Sequence, residues 1–180
     1  YHQMILNNSN LGKGGSIKKG IIQSRGDYVV IHDPDMEYKA EDIWPLLEKV
    51  KSNKAGMGLG SRLMNGKIST QYILNYFGVV LLTKCINILY NSDLTDSATA
   101  LKICDGDLVR KLNFISNGFD LDFELVVRIL RCGYKIVERE TSYNPRSIRE
   151  GKKIKASDGI SALIVIIRDR FVKKYSFIKS

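Results

Sequence analysis

The clearest strand pattern in this chain is Tyr28-Val-Val-Ile-His-Asp-Pro-Asp35. Its first five residues are rich in β-branched side chains, and Gly26-Asp27 precedes them. The Asp-Pro-Asp sequence that follows is typical of a turn. The pattern therefore predicts a buried strand that ends in a turn carrying two carboxylates.

Helical patterns lie on both sides of this strand. Apolar residues recur at helical spacing over residues 15–24, after a glycine-rich loop, and again over residues 40–51. Further strands are predicted over residues 55–60 and 134–138, and further helices over 72–90, from 106 onward and over 123–132. Tyr1–Leu6 also resembles a strand. This order predicts an α/β domain with a mostly parallel sheet flanked by helices.

Composition excludes several classes of protein. The 180 residues are 44% hydrophobic and 26% charged, with only 3 Pro, as in a folded domain and unlike a disordered or fibrous chain. No run approaches the roughly 20 apolar residues that span a bilayer, and no signal peptide opens the chain. The 3 cysteines are far apart, which favours reduced core residues and a cytoplasmic protein over a disulfide framework or a zinc site.

Positive charge is concentrated at the carboxyl end. The net charge is +9, and residues 144–180 hold 10 Lys or Arg against 3 Asp or Glu. Residues 158–175 place Ile160, Ile164 and Ile167 along one helical face, with basic residues near the end. We therefore predict a domain over residues 1–155 and a basic amphipathic helix within 156–180. That helix, with the one over 72–90, could lie on an anionic membrane or pack on the domain's own core.

A nucleic-acid partner is not expected, despite the sequence pI of about 9.4. Single-strand binders interleave stacking aromatic residues with basic ones. Here the aromatic residues of the basic tail lie only at its extreme end, at Tyr175 and Phe177. The acidic residues after the first strand would also have no role in such a protein.

Three carboxylates form a candidate metal site: Asp33, Asp35 and Glu37. The first two come at the carboxyl end of a strand, where open α/β sheets bind their ligands. Carboxylates held close together repel, and a hard cation such as Mg²⁺ or Mn²⁺ relieves that repulsion. An ordinary turn explains the same residues, and spacing alone leaves both interpretations open.

The segment Asn10-Leu-Gly-Lys-Gly-Gly-Ser16 is a glycine-rich loop that enters a helix. Backbone amides at such a helix start, together with Lys13, could bind an anion. The segment lacks the Gly-Lys-Ser/Thr ending of a P-loop and the spacing of a dinucleotide-binding loop. A flexible turn with a helix cap is the equal alternative.

Taken in order, these motifs resemble those of family-two glycosyltransferases with the GT-A fold (a Rossmann-like nucleotide-diphospho-sugar transferase fold), and most closely the dolichyl-phosphate mannose synthase-like branch. The matching motifs are Asn10-Leu-Gly-Lys-Gly14, Gly26-Asp27, Asp33-Pro-Asp35, Gly60-Ser-Arg62, Leu94-Thr-Asp96 with Lys102, Gly118-Phe119 with Glu124, Tyr143-Asn-Pro-Arg146, Glu150-Gly-Lys-Lys153 and Asp158-Gly159. The resemblance extends from Asn10 to about residue 170. It implies a chain that starts after the first strand of the family's fold, and so without the acidic residue that reads the nucleobase.

The resemblance implies an inverting, metal-dependent hexosyltransferase that uses a nucleotide sugar such as a UDP- or GDP-sugar. Mg²⁺ or Mn²⁺ would bind Asp33, Asp35 and Glu37. The donor would contact Asn10, Gly12, Lys13, Gly14, Asp33, Arg62, Lys152 and Lys153. The acceptor would be a polyprenyl phosphate, reached by a protein peripheral on the cytoplasmic face of a membrane.

The acceptor decides which residues catalyse the reaction. A lipid phosphate is already ionised, so cations such as Arg62 and Arg146 would matter most. A hydroxyl of a glycan or small molecule would need a carboxylate base, for which Asp96 is the first candidate and Glu124 the second. The alternative for Asp96 is a helix cap, and the alternative for Glu124 is a solvent-facing helix position. A truncated, non-catalytic relative is the remaining alternative.

Overall fold

The structure, a computed structural model, describes residues 3–64, 73–145, 156–173 and 178. Its helices are α1 (Gly12–Gln23), α2 (Ile43–Asn53, after a short 3₁₀ turn at Ala40–Asp42), α3 (Ile73–Tyr90), α4 (Gly106–Lys111), α5 (Leu121–Arg131) and α6 (Ala156–Phe171). Its strands are β1 (Tyr28–Ile31), β2 (Met57–Ser61), β3 (Lys102–Asp105) and β4 (Ile136–Glu140). Every predicted helix is therefore present, and most lie within a few residues of their expected ends; the predicted helix over 156–180 is α6, which ends at Phe171.

The four strands form one mixed sheet in the order β1-β3-β2-β4. β2 pairs in parallel with β4, Met57 lying opposite Ile136. β3 is antiparallel to both β1 and β2. Three strands thus point the same way, as predicted, and β3 is the reversed one. The sequence did not predict β3, because it is only four residues long and begins with the charged Lys102.

Helices cover both faces of the sheet. On one face, α2 packs Leu46 and Val50 against Ile103 and Val137. On the other face, Met57 and Leu59 of β2 share one core with residues of α3, α5 and α6. The two layers exclude water from both faces, which explains why all five residues of β2 are buried. The α/β class predicted from the element order is confirmed.

Helix α6 belongs to this same core. Ala162, Val165 and Ile166 are buried, and the Tyr90 hydroxyl of α3 donates a hydrogen bond to the Ile166 carbonyl at 2.6 Å. A buried ion pair of 2.7 Å joins Arg128 of α5 to Asp169 of α6. The helix that follows the predicted boundary between residues 155 and 156 therefore packs into the same core as the rest of the domain.

The predicted strand over Tyr1–Leu6 is wrong for the part that the structure describes, because residues 3–6 have no regular secondary structure. A strand needs a neighbour to satisfy its backbone hydrogen bonds, and the sheet of the described residues contains none for it. Within the described ranges, no helix has the length and apolar character needed to cross a membrane.

Candidate active site

The carboxyl ends of β1, β2 and β4 lie at one edge of the sheet, because these strands run in the same direction. The segment with Asp33 and Asp35 follows β1, Arg62 follows β2, and Tyr143 comes shortly after β4. Ligands of open α/β sheets bind at this edge. The tertiary structure thus gathers residues that are up to 110 positions apart in the sequence.

Lys13 reaches this edge from the first turn of α1. Its ammonium nitrogen lies 2.8 Å from Asp33 Oδ2 and 3.1 Å from Asp122 Oδ2. Burial alone would lower the pKa of Lys13, but the charges of Asp122 and Asp33 outweigh burial and raise it. Lys13 is therefore a cation held between two carboxylates.

Asp122 is in turn paired with Lys102. The Lys102 ammonium lies 2.8 Å from Asp122 Oδ1, and the Lys102 side chain is fully buried. Burial opposes the ionisation of Asp122, but the charges of Lys102 and Lys13 prevail and lower its pKa. The result is a chain of alternating charges that runs from the interior of the sheet to Asp33.

The glycines of the glycine-rich loop have a packing role. A Cβ atom on Gly12 or Gly14 would collide with the backbone of Asn117, and Gly12 has a φ of 73°. The Gly15 amide donates to the Asn117 carbonyl at 3.2 Å. Asn10 Oδ1 accepts from the Gly12 amide at 3.0 Å, an Asx turn at the start of α1. The loop therefore brings α1 close to the 117–118 segment and positions Lys13.

Arg62 is held rigidly by Asp96. Asp96 Oδ2 accepts from Arg62 Nε at 2.7 Å and from the Arg62 amide at 3.1 Å, and Asp96 Oδ1 accepts from Nη2 at 2.8 Å. Burial of Asp96 opposes its ionisation, but the adjacent guanidinium outweighs burial and holds the pKa of Asp96 below its usual range. This two-pronged pair fixes the plane of the guanidinium.

Aromatic rings complete the surroundings of Arg62. Its guanidinium carbon lies 5.2 Å from the centre of the Tyr143 ring, a cation–π distance. The Tyr143 hydroxyl donates to Glu37 Oε2 at 3.1 Å, and the Glu37 amide donates to Asp35 Oδ1 at 3.1 Å. Arg62 is thus connected through Tyr143 to the acidic turn after β1.

Comparison with known proteins identifies the family. The profile described as "Glycosyl transferase family 2" matches residues 3–109. The chain belongs to glycosyl transferase family 2. The match confirms the resemblance drawn from the motifs and covers the glycine-rich loop, the acidic turn, Arg62 and Asp96.

Curated relatives of this family-2 chain support the same assignment. The chain is 30% identical over 125 residues to a low-salt glycan biosynthesis hexosyltransferase, Agl6, of Haloferax volcanii, with 68% of this chain and 30% of that protein covered. It is 28% identical over 144 residues to a dolichyl-phosphate beta-glucosyltransferase of Dictyostelium discoideum, with 74% of this chain and 32% of that protein covered. The chain thus spans about a third of the length of these relatives.

A solved structure of similar fold is glucosyl-3-phosphoglycerate synthase from Mycobacterium tuberculosis, in complex with Mn²⁺, UDP-glucose and phosphoglyceric acid. The TM-score is 0.61 at 12% sequence identity, with 90% of this chain and 56% of that chain covered. At this identity the likeness concerns the fold, and it confirms the α/β architecture expected from the GT-A resemblance.

The geometry of Asp96 in this family-2 chain differs from that of a general base. Its carboxylate is fully buried, and both of its oxygens accept hydrogen bonds from Arg62. A base must reach the proton that it removes. Glu138 accepts from the backbone amides of Thr95 and Asp96 at 2.7 and 2.9 Å, which fixes the loop that carries Asp96. The arrangement suits a residue that positions Arg62.

Glu124, the second candidate base, lies in the interior and not on a solvent-facing helix position. It accepts from the amides of Ile115 and Ser116 at 3.0 and 2.9 Å, and it pairs with Arg128 at 2.5 Å and with Arg168 at 3.1 Å. Its side chain is fully buried. These contacts join α5 to the 115–116 segment and to α6, which is a structural role.

The acidic turn offers a partial set of metal ligands. The Asp33 carboxylate already pairs with a cation, the Lys13 ammonium, so a positive charge can lie next to it. The Glu37 carboxylate accepts from Tyr143, and in the described ranges no three His, Cys, Asp or Glu side chains are grouped closely enough to hold a metal. Asp33 and Asp35 offer carboxylate oxygens, the kind of ligand that Mg²⁺ and Mn²⁺ prefer.

Three predicted residues, Arg146, Lys152 and Lys153, lie outside the described residues. The sequence analysis missed Asp122 and Tyr38. Asp122 is an acidic residue between the apolar Leu121 and Phe123, a signal of a buried carboxylate that needs a partner. Tyr38 packs against Tyr143 with ring centres 5.2 Å apart, and only the folded chain shows this contact.

Proposed function

We propose that this chain carries the catalytic part of a metal-dependent, inverting glycosyltransferase. The enzyme would move a sugar from a nucleoside-diphosphate donor to the phosphate of a polyprenyl lipid. The observation that carries the proposal is the position of Arg62, which Asp96 holds at the sheet edge that bears Asp33 and Asp35. Cations and acidic residues at one edge suit a reaction in which two anions meet.

The leaving diphosphate would be bound by residues of this edge. A divalent cation on Asp33 and Asp35 would supply Lewis-acid stabilisation of the departing charge. The Lys13 ammonium would contact the diphosphate oxygens as a point charge. The Arg62 guanidinium, whose plane is fixed by Asp96, presents its remaining N–H groups to a phosphate in a forked arrangement.

A phosphate acceptor fits the carboxylates better than a hydroxyl does. Asp96 and Glu124, the two candidate bases, are fully buried and hydrogen-bonded. An ionised phosphate oxygen attacks the anomeric carbon directly, on the face opposite the leaving diphosphate, and gives up no proton. The dolichyl-phosphate glucosyltransferase among the relatives supports the acceptor class, and the Mn²⁺ and UDP-glucose bound by the M. tuberculosis enzyme support the metal and the donor.

Thermal unfolding with UDP or GDP, each with and without Mn²⁺, tests the donor site. We expect a metal-dependent rise in Tm with one nucleotide, because ligand binding stabilises the native state by mass action. The double variant Asp33→Ala/Asp35→Ala should lose this rise. A well-folded wild-type chain that shows no shift with either nucleotide would contradict the proposal and favour a non-catalytic relative.

The acceptor is tested with a radiolabelled nucleotide sugar and two lipids that differ in one group, a polyprenyl phosphate and the matching polyprenol. We expect label to enter the lipid phosphate only. Label in the polyprenol would instead establish a hydroxyl acceptor, which needs a carboxylate base to take its proton.

Two adjacent helices support a further part of this proposal, peripheral attachment to the cytoplasmic face of a membrane. α6 leaves Ile160, Ile164, Ile167 and Phe171 exposed, at positions that share one helical face. α3, which packs against α6, exposes other apolar side chains, among them Ile88. Other residues of α6 pack into the core of the domain. The exposed apolar side chains are therefore not needed for that packing and are available to contact a membrane.

Co-sedimentation with vesicles tests this attachment. Wild-type protein should bind vesicles that contain anionic lipid more strongly than neutral ones, and Ile160→Ser/Ile164→Ser should weaken binding severalfold. Ile22→Ser, which alters an exposed isoleucine of α1, is the matched control and should bind like wild type. Equal binding by all of the variants would refute attachment through α6.

A further inference from the structure

The two carboxylates that bind Lys13 differ in how firmly they are held. Asp33 follows β1 in a turn, and 27% of its side chain is exposed. Asp122 lies in the first turn of α5, and 8% of its side chain is exposed. Its other oxygen is bound by Lys102, which is fully buried and also donates to the Thr99 carbonyl. Asp122 is therefore the fixed partner of Lys13, and Asp33 is the accessible one.

We propose that Lys13 is an internal counter-cation for Asp33, which Asp122 retains at the site when Asp33 takes up a divalent metal. The proposal rests on the proposed donor site at Asp33 and Asp35. Lys13 neutralises Asp33 as long as no metal is bound. When Asp33 exchanges Lys13 for a metal, the ammonium stays on Asp122 and is available to the diphosphate of the donor. Asp122 and Lys102 are positioning residues in this arrangement.

The exchange makes the metal and the diphosphate bind cooperatively. A metal that arrives alone must displace Lys13 from Asp33 and leaves the ammonium with one carboxylate partner fewer. A diphosphate gives that ammonium a new anionic partner, so each ligand favours the binding of the other. By linkage the coupling is reciprocal, and UDP must raise the Mn²⁺ affinity by the same factor as Mn²⁺ raises the UDP affinity.

Mn²⁺ binding to the chain, followed by electron paramagnetic resonance without nucleotide, tests the exchange directly. Lys13→Gln should bind Mn²⁺ about fivefold more tightly than wild type, the order of one partly exposed ion pair. Lys13→Arg keeps the charge and should bind Mn²⁺ like wild type. Lys18→Gln changes the same charge on the same helix, where Lys18 contacts Asn117 Oδ1 and no carboxylate, and serves as the control.

The double variant Lys102→Met/Asp122→Asn tests the anchor without changing the net charge. It leaves Asp33 as the carboxylate partner of Lys13, so Mn²⁺ should bind more weakly than to wild type, opposite to the effect of Lys13→Gln. Addition of UDP should tighten Mn²⁺ binding in both proteins, because the metal itself contacts the diphosphate, and by a larger factor in wild type than in Lys13→Gln. A purely structural role of Lys13 would change the folding stability without these opposite shifts.

The outcomes separate this inference from the proposed function. Wild-type chain that binds Mn²⁺ neither alone nor with UDP or GDP would overturn both. If wild type binds Mn²⁺ with nucleotide but Lys13→Gln binds Mn²⁺ alone no more tightly than Lys18→Gln, the donor site stands and the counter-cation role of Lys13 is refuted. The Lys13 comparison decides the matter even if the Lys102/Asp122 variant does not fold.

Discussion

The ion pair between Arg62 and Asp96 makes a sharp prediction about stability. Asp96 is fully buried, and the Arg62 side chain is 18% exposed. Asp96→Asn removes the negative charge. It replaces one carboxylate oxygen by an amide N–H₂ and the other by a weaker acceptor, although three N–H donors of Arg62 point at these atoms. Breaking a buried pair by removing one partner costs about 3–5 kcal/mol, because the other charge is left unpaired.

We expect Asp96→Asn to lose about 3 kcal/mol of unfolding free energy, at the lower end of that range because Arg62 retains some contact with water. With an m-value of about 2 kcal/mol per M, this loss lowers the urea midpoint by roughly 1.5 M. The matched control is Asp93→Asn, the same chemical change at an exposed position three residues earlier, which should stay within about 0.5 kcal/mol of wild type.

A double-mutant cycle with Arg62→Met separates the pair from the packing around it. Residues in direct contact are energetically coupled. The double variant should therefore lose less unfolding free energy than the two single variants lose together, by about 1–3 kcal/mol. Urea unfolding at pH 7, followed by circular dichroism, measures all four proteins. Additive losses, or an Asp96→Asn variant as stable as Asp93→Asn, would refute the view that Asp96 holds Arg62.

Three further predictions concern other parts of the chain. The folded state lowers the pKa values of Asp96 and Asp122. Their ionised forms therefore contribute to stability above the ordinary aspartate pKa of about 3.9, and this contribution is lost as the pH falls below that value. Urea unfolding from pH 7 to 3 should show this loss, and a pH-independent midpoint would contradict it. Burial raises the pKa of the Cys104 thiol to about 12, so iodoacetamide should modify it only in unfolded protein, and mass spectrometry that finds rapid native labelling would exclude this burial. Gly14→Ala should cost about 1–3 kcal/mol of unfolding free energy, measured by thermal or urea unfolding, because the new Cβ collides with the Asn117 backbone. Gly20→Ala, in open space on the same helix, should stabilise the protein by about 0.5–1 kcal/mol. Equal effects of the two variants would disprove the packing role of the loop.

Local patterns explain why much of the fold could be predicted. The β-branched run before Asp33 and the helical periodicity of residues 40–51 are encoded within a few neighbouring residues. β3 escaped prediction because its buried Lys102 breaks the apolar pattern, and the ammonium is stabilised there by Asp122, 20 positions later, and by the Thr99 carbonyl. The strand-like pattern of Tyr1–Leu6 failed in the opposite way over its described residues 3–6, since β-propensity forms no strand without a neighbour in the sheet.

The order of the motifs around Lys13, Asp33, Arg62 and Asp96 was enough to predict the family and several of the residues that gather at the sheet edge. The tertiary structure decided what those residues do. Asp96 could be a base or a cap in the sequence, and only its burial against Arg62, 34 positions away, makes it a positioning residue. Lys13 meets Asp122 across 109 positions. Charges acquire their roles from neighbours that the fold brings within 3 Å or so, and local spacing carries no record of such partners.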